Sequence, residues 1–235
     1  MEFVDYSRQA AFDEKFIANI KPTDHHAIIG CGGVGFWLGI ILAMQGYSNF
    51  YLVDGQKLDL SNLNRIPVNP DWAGINKTVA LRKIIKTVRP LAIVNTINQH
   101  VNEDDLEILE RFVSASPSSN RWHIWDCTDD ARIQRKVFKW SRDWNYVNYR
   151  KIGYEGFSVG TYTNYDVWTT EDYRPGYRTS NACAASSALA AVIGFMAHGL
   201  KLSKDINLNI KDVLEGINKG NRVVRVAPPL PAEVA

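Results

Sequence analysis

Short apolar runs alternate with amphipathic segments along the first two thirds of the chain. Runs such as 27–29 and 50–53 are apolar throughout and end in glycine or a polar residue, which is typical of strands buried on both faces of a sheet. The segments between them carry apolar residues at helical spacing. The pattern predicts strands at 27–29, 49–53, 92–97 and 122–125 and helices at 33–45, 77–88, 104–113 and 131–144.

The C-terminal third has a different pattern. Segment 148–168 alternates aromatic or branched residues with polar ones and contains three glycines, which favours antiparallel strands. Segment 182–200 is rich in Ala, Ser and Gly and predicts a closely packed helix. We therefore expect an α/β fold with a Rossmann-like doubly wound mixed sheet, parallel in its N-terminal part and with antiparallel strands added in its C-terminal part.

The chain length predicts one domain. A chain of 235 residues with 46% hydrophobic content can bury one sizeable core, so a single domain over 1–235 is expected. Residues 1–22 have apolar positions at helical spacing and predict an N-terminal helical segment. Residues 226–235 are rich in proline and predict an extended tail.

A glycine-rich turn follows the first predicted strand and opens the first predicted helix. In this G-x-G-x-x-G pattern, Gly30 permits a tight turn, Gly32 lets the backbone approach a phosphate, and Gly35 allows close helix packing. Gly33 lies at the start of the helix, whose first N–H groups attract anions. Asp54 ends the next strand, nineteen residues after Gly35, where such units place a carboxylate for a ribose hydroxyl. The motif therefore predicts a nucleotide site.

Charged and amide side chains follow this unit. Asn62 and Arg65 lie in an unusually long polar loop, Lys77 opens the next helix, and Asp129 follows the strand at 122–125. Two cations and a carboxylate that could hold Mg²⁺ are what phosphoryl or nucleotidyl transfer requires. Alternatively, Arg65 and Lys77 are solvated surface charges and Asp129 caps the helix that begins near Ala131.

Two other classes of function remain open at this point. An NAD-dependent oxidoreductase would explain the glycine turn and Asp54, but it leaves Arg65, Lys77 and Asp129 unexplained. A catalytically silent scaffold, one subunit of a heterodimer, would bind a partner while another subunit performs catalysis. The complete set of charged residues favours an enzyme.

The charge balance argues against nucleic acid and membrane surfaces as partners. The chain has 27 Lys and Arg against 25 Asp and Glu, a net charge of +2, and no long basic run. Its first residues are acidic where a signal peptide would be basic, and no apolar run approaches the roughly 18–20 residues of a membrane span. We therefore expect a cytoplasmic protein.

The three cysteines do not predict a metal centre. Cys31, Cys127 and Cys183 form no Cys-x-x-Cys pair, so no structural zinc is expected. Cys31 and Cys127 lie within the nucleotide motifs and are interpreted as structural. Cys183 lies at the start of the predicted helical segment 182–200 and is either a buried small residue or a nucleophile whose pKa a helix N-terminus would lower.

Five motifs occur in a characteristic order: Tyr6-Ser7-Arg8-Gln9, Gly30-Cys31-Gly32-Gly33-Val34-Gly35, Asp54 with Ser61-Asn62-Leu63-Asn64-Arg65, Gly74-Ile75-Asn76-Lys77, and Asp126-Cys127-Thr128-Asp129. Together they resemble the ThiF/MoeB family of ubiquitin-activating-enzyme-like adenylyltransferases, over roughly residues 5–202. The resemblance implies ATP-dependent adenylation of the C-terminal carboxylate of a small ubiquitin-like or sulfur-carrier protein, with release of pyrophosphate.

The resemblance also implies a role for each matching residue. Asp54 would bind the ATP ribose, Asn62, Arg65 and Lys77 would contact the phosphates, and Asp129 would be the Mg²⁺ ligand. Arg8 would reach across a homodimer to the ATP of the partner. Many members of the family hold zinc with two Cys-x-x-Cys pairs that this chain lacks, so 151–181 is expected to be built differently. Segment 148–168 would hold the protein substrate.

Overall fold

The computed structural model describes residues 23–101, 106–114, 121–144, 147–155, 158–162, 185, 188–189 and 206–209. Seven strands and four α-helices lie in this part of the chain. The strands are β1 (His25–Ile29), β2 (Asn49–Val53), β3 (Ile93–Ile97), β4 (Trp122–Asp126), β5 (Val147–Glu155), β6 (Ser158–Tyr162) and β7 (Ile206–Asn209). The helices are α1 (Gly33–Met44), α2 (Lys77–Val88), α3 (Glu107–Ser114) and α4 (Ala131–Arg142).

The strands form one sheet in the order β3-β2-β1-β4-β5-β6-β7. Neighbours from β3 to β5 are parallel, whereas β5–β6 and β6–β7 are antiparallel. Ile29 pairs with Val53 on one side and with Asp126 on the other, so β1, β2 and β4 end at the same level. The loops that follow these three strands therefore meet at one edge of the sheet.

A hydrophobic core covers each face of the sheet. One core contains Phe36, Leu81 and Trp125 and joins the sheet to α1 and α2. The other contains Val113, Trp122 and Val137 and joins the sheet to α3 and α4. All five residues of β1 and of β4 are buried, which explains why these central strands have no alternating pattern. The expected doubly wound α/β fold is confirmed.

The element bounds differ from the expected ones mainly where polar residues are buried. β1 begins at His25, two residues before the expected strand, because His25 and His26 are buried in the sheet. His123 lies next to them, and its Nε2 is 3.1 Å from the Asp24 carboxylate. Hydrophobic patterning does not detect a strand that begins with two histidines.

Several expected features lie outside the described residues: the N-terminal segment 1–22, the tail 226–235 and most of 182–200. Among the described helices, none is long and apolar enough to cross a bilayer.

Candidate nucleotide-binding site

A cleft of about 1170 Å³ opens at the aligned ends of β1, β2 and β4 and extends to the middle of β5. Its volume is slightly above the roughly 300–1,000 Å³ that is usual for ligand pockets. In open α/β sheets, ligands bind at this edge. The expected site residues that line the cleft are Gly30, Gly32, Gly33, Asp54, Asn62, Arg65, Lys77 and Asp129.

The glycine-rich turn lies at the bottom of the cleft. Gly30 has φ +87°, and a Cβ at this position would lie 3.0 Å from the backbone carbonyl of Cys127. A Cβ on Gly35 would lie 2.0 Å from the carbonyl oxygen of Gly30, so α1 packs directly on the turn. A Cβ on Gly32 would meet no atom within 4 Å. Gly32 thus leaves open space in front of the first N–H groups of α1, which have no partners within the helix.

Asp54 joins this turn to the end of β2. Its Oδ2 accepts a hydrogen bond from the amide of Cys31 at 2.8 Å, and its Oδ1 accepts one from the amide of Gln56 at 2.7 Å. Each carboxylate oxygen can accept more than one hydrogen bond, so the side chain retains acceptor capacity toward the cleft. This arrangement suits a carboxylate that accepts from a ribose hydroxyl.

The long loop after β2 is folded over the cleft. A short 3₁₀ turn at Leu60–Asn62 is held by a capping box between Asp59 and Asn62, in which Asn62 Oδ1 accepts from the Asp59 amide. The side-chain amide nitrogen of Asn62, Nδ2, remains as the group able to donate to a ligand. Trp37 of α1 donates from Nε1 to the carbonyl oxygen of Arg65 at 3.0 Å. These contacts fix the loop on the first helix.

Lys77 is the first residue of α2, and only 5% of its surface is exposed. Its Nζ donates to Oε1 of Gln56 at 2.5 Å, and its amide donates to the Gln56 carbonyl oxygen at 3.0 Å. A buried ammonium group is costly unless an anion compensates its charge. The neutral amide of Gln56 orients Lys77 but supplies no such charge.

Arg65 is the second cation of the cleft. Its guanidinium group donates to the Ser61 carbonyl oxygen at 3.0 Å and to Asn64 Oδ1 at 2.9 Å, both neutral acceptors. Within the described part of the chain, neither Arg65 nor Lys77 has a carboxylate oxygen within 4.0 Å. Two cations without a compensating carboxylate, beside a glycine-rich turn, are suited to an anion such as a polyphosphate.

Asp129 lies on the opposite side of the glycine turn and is exposed in the cleft. The capping alternative for this residue is wrong, because Asp130 is the N-cap of α4 and accepts from the Arg132 amide at 2.8 Å. Among the described residues, no group of three His, Cys, Asp or Glu side chains could hold a metal ion. Mg²⁺ is commonly bound through one or two carboxylates together with nucleotide phosphates, which a single carboxylate beside a phosphate site fits.

A buried carboxyl group supports this side of the cleft. Asp126 accepts from the amide and hydroxyl of Thr128 at 3.1 and 2.7 Å, and from the Tyr149 hydroxyl at 3.1 Å. Gln134 of α4 donates to the Thr128 carbonyl oxygen at 2.6 Å. Burial raises the pKa of Asp126 to about 6, although these donors lower it. The network holds the backbone of the segment that presents Asp129.

Burial also explains the state of the two cysteines in the motifs. It raises the pKa of both the Cys31 and the Cys127 thiols well above the usual value. Both are therefore neutral thiols at physiological pH and poor nucleophiles.

The family model for the ThiF family matches residues 6–201. The chain belongs to the ThiF family. It is 27% identical over 180 residues to a molybdopterin-synthase adenylyltransferase of Haemophilus influenzae, covering 72% of this chain and 68% of that protein. It is 25% identical over 170 residues to the ubiquitin-like modifier-activating enzyme 5 of Drosophila mojavensis, covering 70% of this chain but only 40% of that protein.

A solved structure shares the fold of this ThiF-family chain. The Escherichia coli tRNA N6-threonylcarbamoyladenosine dehydratase TcdA, in complex with ATP, has a TM-score of 0.66 and 19% identity. The alignment covers 85% of this chain and 97% of that one. The cleft at the carboxyl ends of the strands thus belongs to a fold that this chain shares with that structure.

Most of the site residues expected from the sequence of this ThiF-family chain lie in the cleft. Gly35 is the exception among the described residues, since it packs under the turn. Arg8 and Cys183 lie outside the described residues. Sequence reasoning missed Gln56 and Lys151, both of which line the cleft. Gln56 directly follows Asp54-Gly55, a detectable signal, whereas Lys151 is brought to the cleft only by strand register.

The raised pKa of Asp126 predicts a pH-dependent stability difference. The unfolded chain loses this proton near pH 3.8 and the folded chain near pH 6, so the ionised form costs the fold up to about 3 kcal/mol above pH 6. This cost disappears as the pH falls from 6 to 3.8. The Asp126→Asn variant cannot ionise, so its melting temperature relative to wild type is expected to be highest at pH 7.5 and to decline toward pH 4.5. A difference independent of pH would contradict the assignment.

Proposed function

We propose that this protein is an ATP-dependent adenylyltransferase that activates the C-terminal carboxylate of a small ubiquitin-like or sulfur-carrier protein. The observation that carries the proposal is the pair of cations, Arg65 and Lys77, without a carboxylate partner among the described residues, beside the glycine-rich turn. Membership of the ThiF family supports the proposal, as does the similarity to the molybdopterin-synthase adenylyltransferase of Haemophilus influenzae. The chain spans about two fifths of the length of the Drosophila mojavensis relative.

The proposed reaction joins two anions. An oxygen of the substrate carboxylate attacks the α-phosphorus of ATP, the bond from that phosphorus to its bridging oxygen breaks, and pyrophosphate leaves with the electron pair. No general base is needed, because a carboxylate is ionised at pH 7. The main demands on the protein are to hold the reactants in line and to neutralise charge on the phosphates.

The residues of the cleft can meet these demands. Asp54 would accept a hydrogen bond from the ribose, and the first N–H groups of α1 would face a phosphate. Asn62, Arg65 and Lys77 would donate to the phosphate oxygens. Asp129 would hold Mg²⁺, which when bound supplies further neutralisation of the phosphate charge.

Further parts of the proposal concern Arg8 and Cys183, which the structure does not describe, and segment 148–168, which it describes in part. Arg8 would complete the ATP site of the partner in a homodimer, so the dimer would be the active form. Cys183 would be the nucleophile if a covalent intermediate forms. Segment 148–168 would hold the protein substrate.

Calorimetry with ATP, with and without Mg²⁺, and with NAD⁺ tests the proposed function. We expect wild type to bind ATP and not NAD⁺, and Mg²⁺ to strengthen ATP binding. In Asp129→Ala, the Mg²⁺-dependent gain should fall by about tenfold or more, because the carboxylate ligand is gone. Binding of ATP without Mg²⁺ should change little.

Asp143→Ala is the matched control, since Asp143 is an exposed carboxylate at the far end of α4. It should behave as wild type. Tight NAD⁺ binding that is indifferent to Asp129→Ala would favour an oxidoreductase and overturn the proposal. Binding of neither nucleotide would favour a catalytically silent scaffold.

A further inference from the structure

Lys151 is a buried cation of the cleft that has no individual role in the reaction described above. Only 4% of its surface is exposed, yet it lines the cleft. It lies in the middle of β5, directly beside Asp126 at the end of β4 in the register of the two strands. Its position in the sheet therefore places a charged side chain in the lining of the cleft.

Strand order places Lys151 on the other side of the glycine turn from Asp54. The sheet runs β2-β1-β4-β5 across the cleft, with Asp54 at the end of β2 and the turn at the end of β1. Neighbouring strands lie about 4.8 Å apart, so β5 is about 10 Å beyond β1 and about 14 Å from β2. Lys151 is thus too far from Asp54 to contact a ribose that Asp54 binds.

The in-line geometry of the displacement relates the distance between β2 and β5 to the reaction. The attacking and leaving oxygens lie on opposite sides of the phosphorus. Arg65 and Lys77 belong to the loop after β2 and to α2, and they would neutralise the departing pyrophosphate. A carboxylate that attacks opposite the departing pyrophosphate would approach the α-phosphorus from the side of β4 and β5, where Lys151 lies.

The surroundings of Lys151 fit a group that binds an anion. Burial lowers the pKa of its ammonium group, and the Asp126 carboxylate opposes this shift. The oxygens of Asp126 already accept hydrogen bonds from Thr128 and Tyr149. A lysine ammonium group can hold a carboxylate through a charge-assisted hydrogen bond, which would keep an incoming carboxylate in place against repulsion by the phosphates.

We propose that Lys151 binds the carboxylate that attacks ATP and, after pyrophosphate leaves, the acyl carbonyl oxygen of the resulting adenylate. The inference rests on the proposed adenylation and identifies the part of the same cleft that receives the carboxylate of the protein substrate. Lys151 keeps its proton throughout, since the new bond forms between the carboxylate oxygen and phosphorus. It is therefore a catalytic residue that orients and neutralises the nucleophile.

The test compares two adenosine ligands, of which one carries a triphosphate and the other an acyl group. The probes are ATP and 5′-O-(N-glycylsulfamoyl)adenosine, a stable mimic of an acyl adenylate, with affinities measured by calorimetry. In Lys151→Met the affinity for the sulfamoyl probe should fall about tenfold or more, while the affinity for ATP stays within about twofold. Lys151→Arg, which keeps the charge, should recover part of the loss.

Lys139→Met is the matched control, because Lys139 is an exposed lysine on α4. It should bind both ligands as wild type does. Equal losses for ATP and for the probe in Lys151→Met, or no loss for either, would overturn the assignment while the proposed function stands. If wild type fails to bind ATP, the proposed function fails and the assignment with it. If Lys151→Met does not fold, as judged by circular dichroism, Lys151→Gln is judged by the same comparison.

Discussion

Replacing Lys77 with methionine is expected to weaken ATP binding by about 30-fold or more. Methionine preserves much of the volume of the side chain but removes the ammonium group that donates to Gln56 in the cleft. A charge-assisted hydrogen bond contributes about 1.5–3 kcal/mol, and every 1.4 kcal/mol is a factor of ten in affinity. The loss should fall mainly on ATP and much less on adenosine, which has no phosphates. Calorimetry with both ligands measures the difference.

The fold of the Lys77→Met variant should survive, because the substitution removes a buried charge rather than apolar packing. Lys86→Met supplies the control on the same helix, since Lys86 is half-buried and its Nζ donates to the Pro90 carbonyl oxygen far from the cleft. Its affinity for ATP should match wild type. A Lys77→Met variant that binds ATP as tightly as wild type would remove Lys77 from the phosphate site and weaken the argument for adenylation.

Features determined by local sequence could be predicted. The glycine turn, α1 and β2 follow one another within thirty residues, and turn chemistry and periodicity identify each of them. α2 begins at Lys77 and ends at Val88 as expected, because an amphipathic face and the preceding polar loop define it. Asp54 reaches the turn since it directly follows a strand that pairs with β1.

Features that depend on pairing could not be predicted in the same way. Lys151 enters the cleft only because β5 pairs with β4 in the register that places it beside Asp126. A shift of one residue would turn it to the other face of the sheet. Gln56 orients Lys77 across twenty-one residues of chain, a contact that no local pattern encodes. The early start of β1 depends on the burial of two histidines, which hydropathy alone assigns to the surface.

The glycine turn allows stability and ligand binding to be separated by two alanine substitutions. Gly35→Ala would place a Cβ 2.0 Å from the Gly30 carbonyl oxygen and 3.1 Å from Ile28 Cγ2. The backbone of either α1 or the turn must then move, so we expect a loss of about 3 kcal/mol in the free energy of unfolding, the upper range for overpacking. Denaturant unfolding measures this loss.

Gly32→Ala should have the opposite profile. Gly32 has φ −77° as the N-cap of α1, and its Cβ would meet no atom within 4 Å, so stability should stay within about 0.5 kcal/mol of wild type. The added methyl group would occupy the open space where we expect the phosphate, and ATP affinity should fall by about tenfold or more. If Gly32→Ala bound ATP normally, the phosphates would have to lie elsewhere in the cleft. Gly32 and Gly35 are three residues apart, and both substitutions add the same methyl group. Only the surroundings of each glycine can therefore account for the contrast between a loss of stability and a loss of ATP affinity.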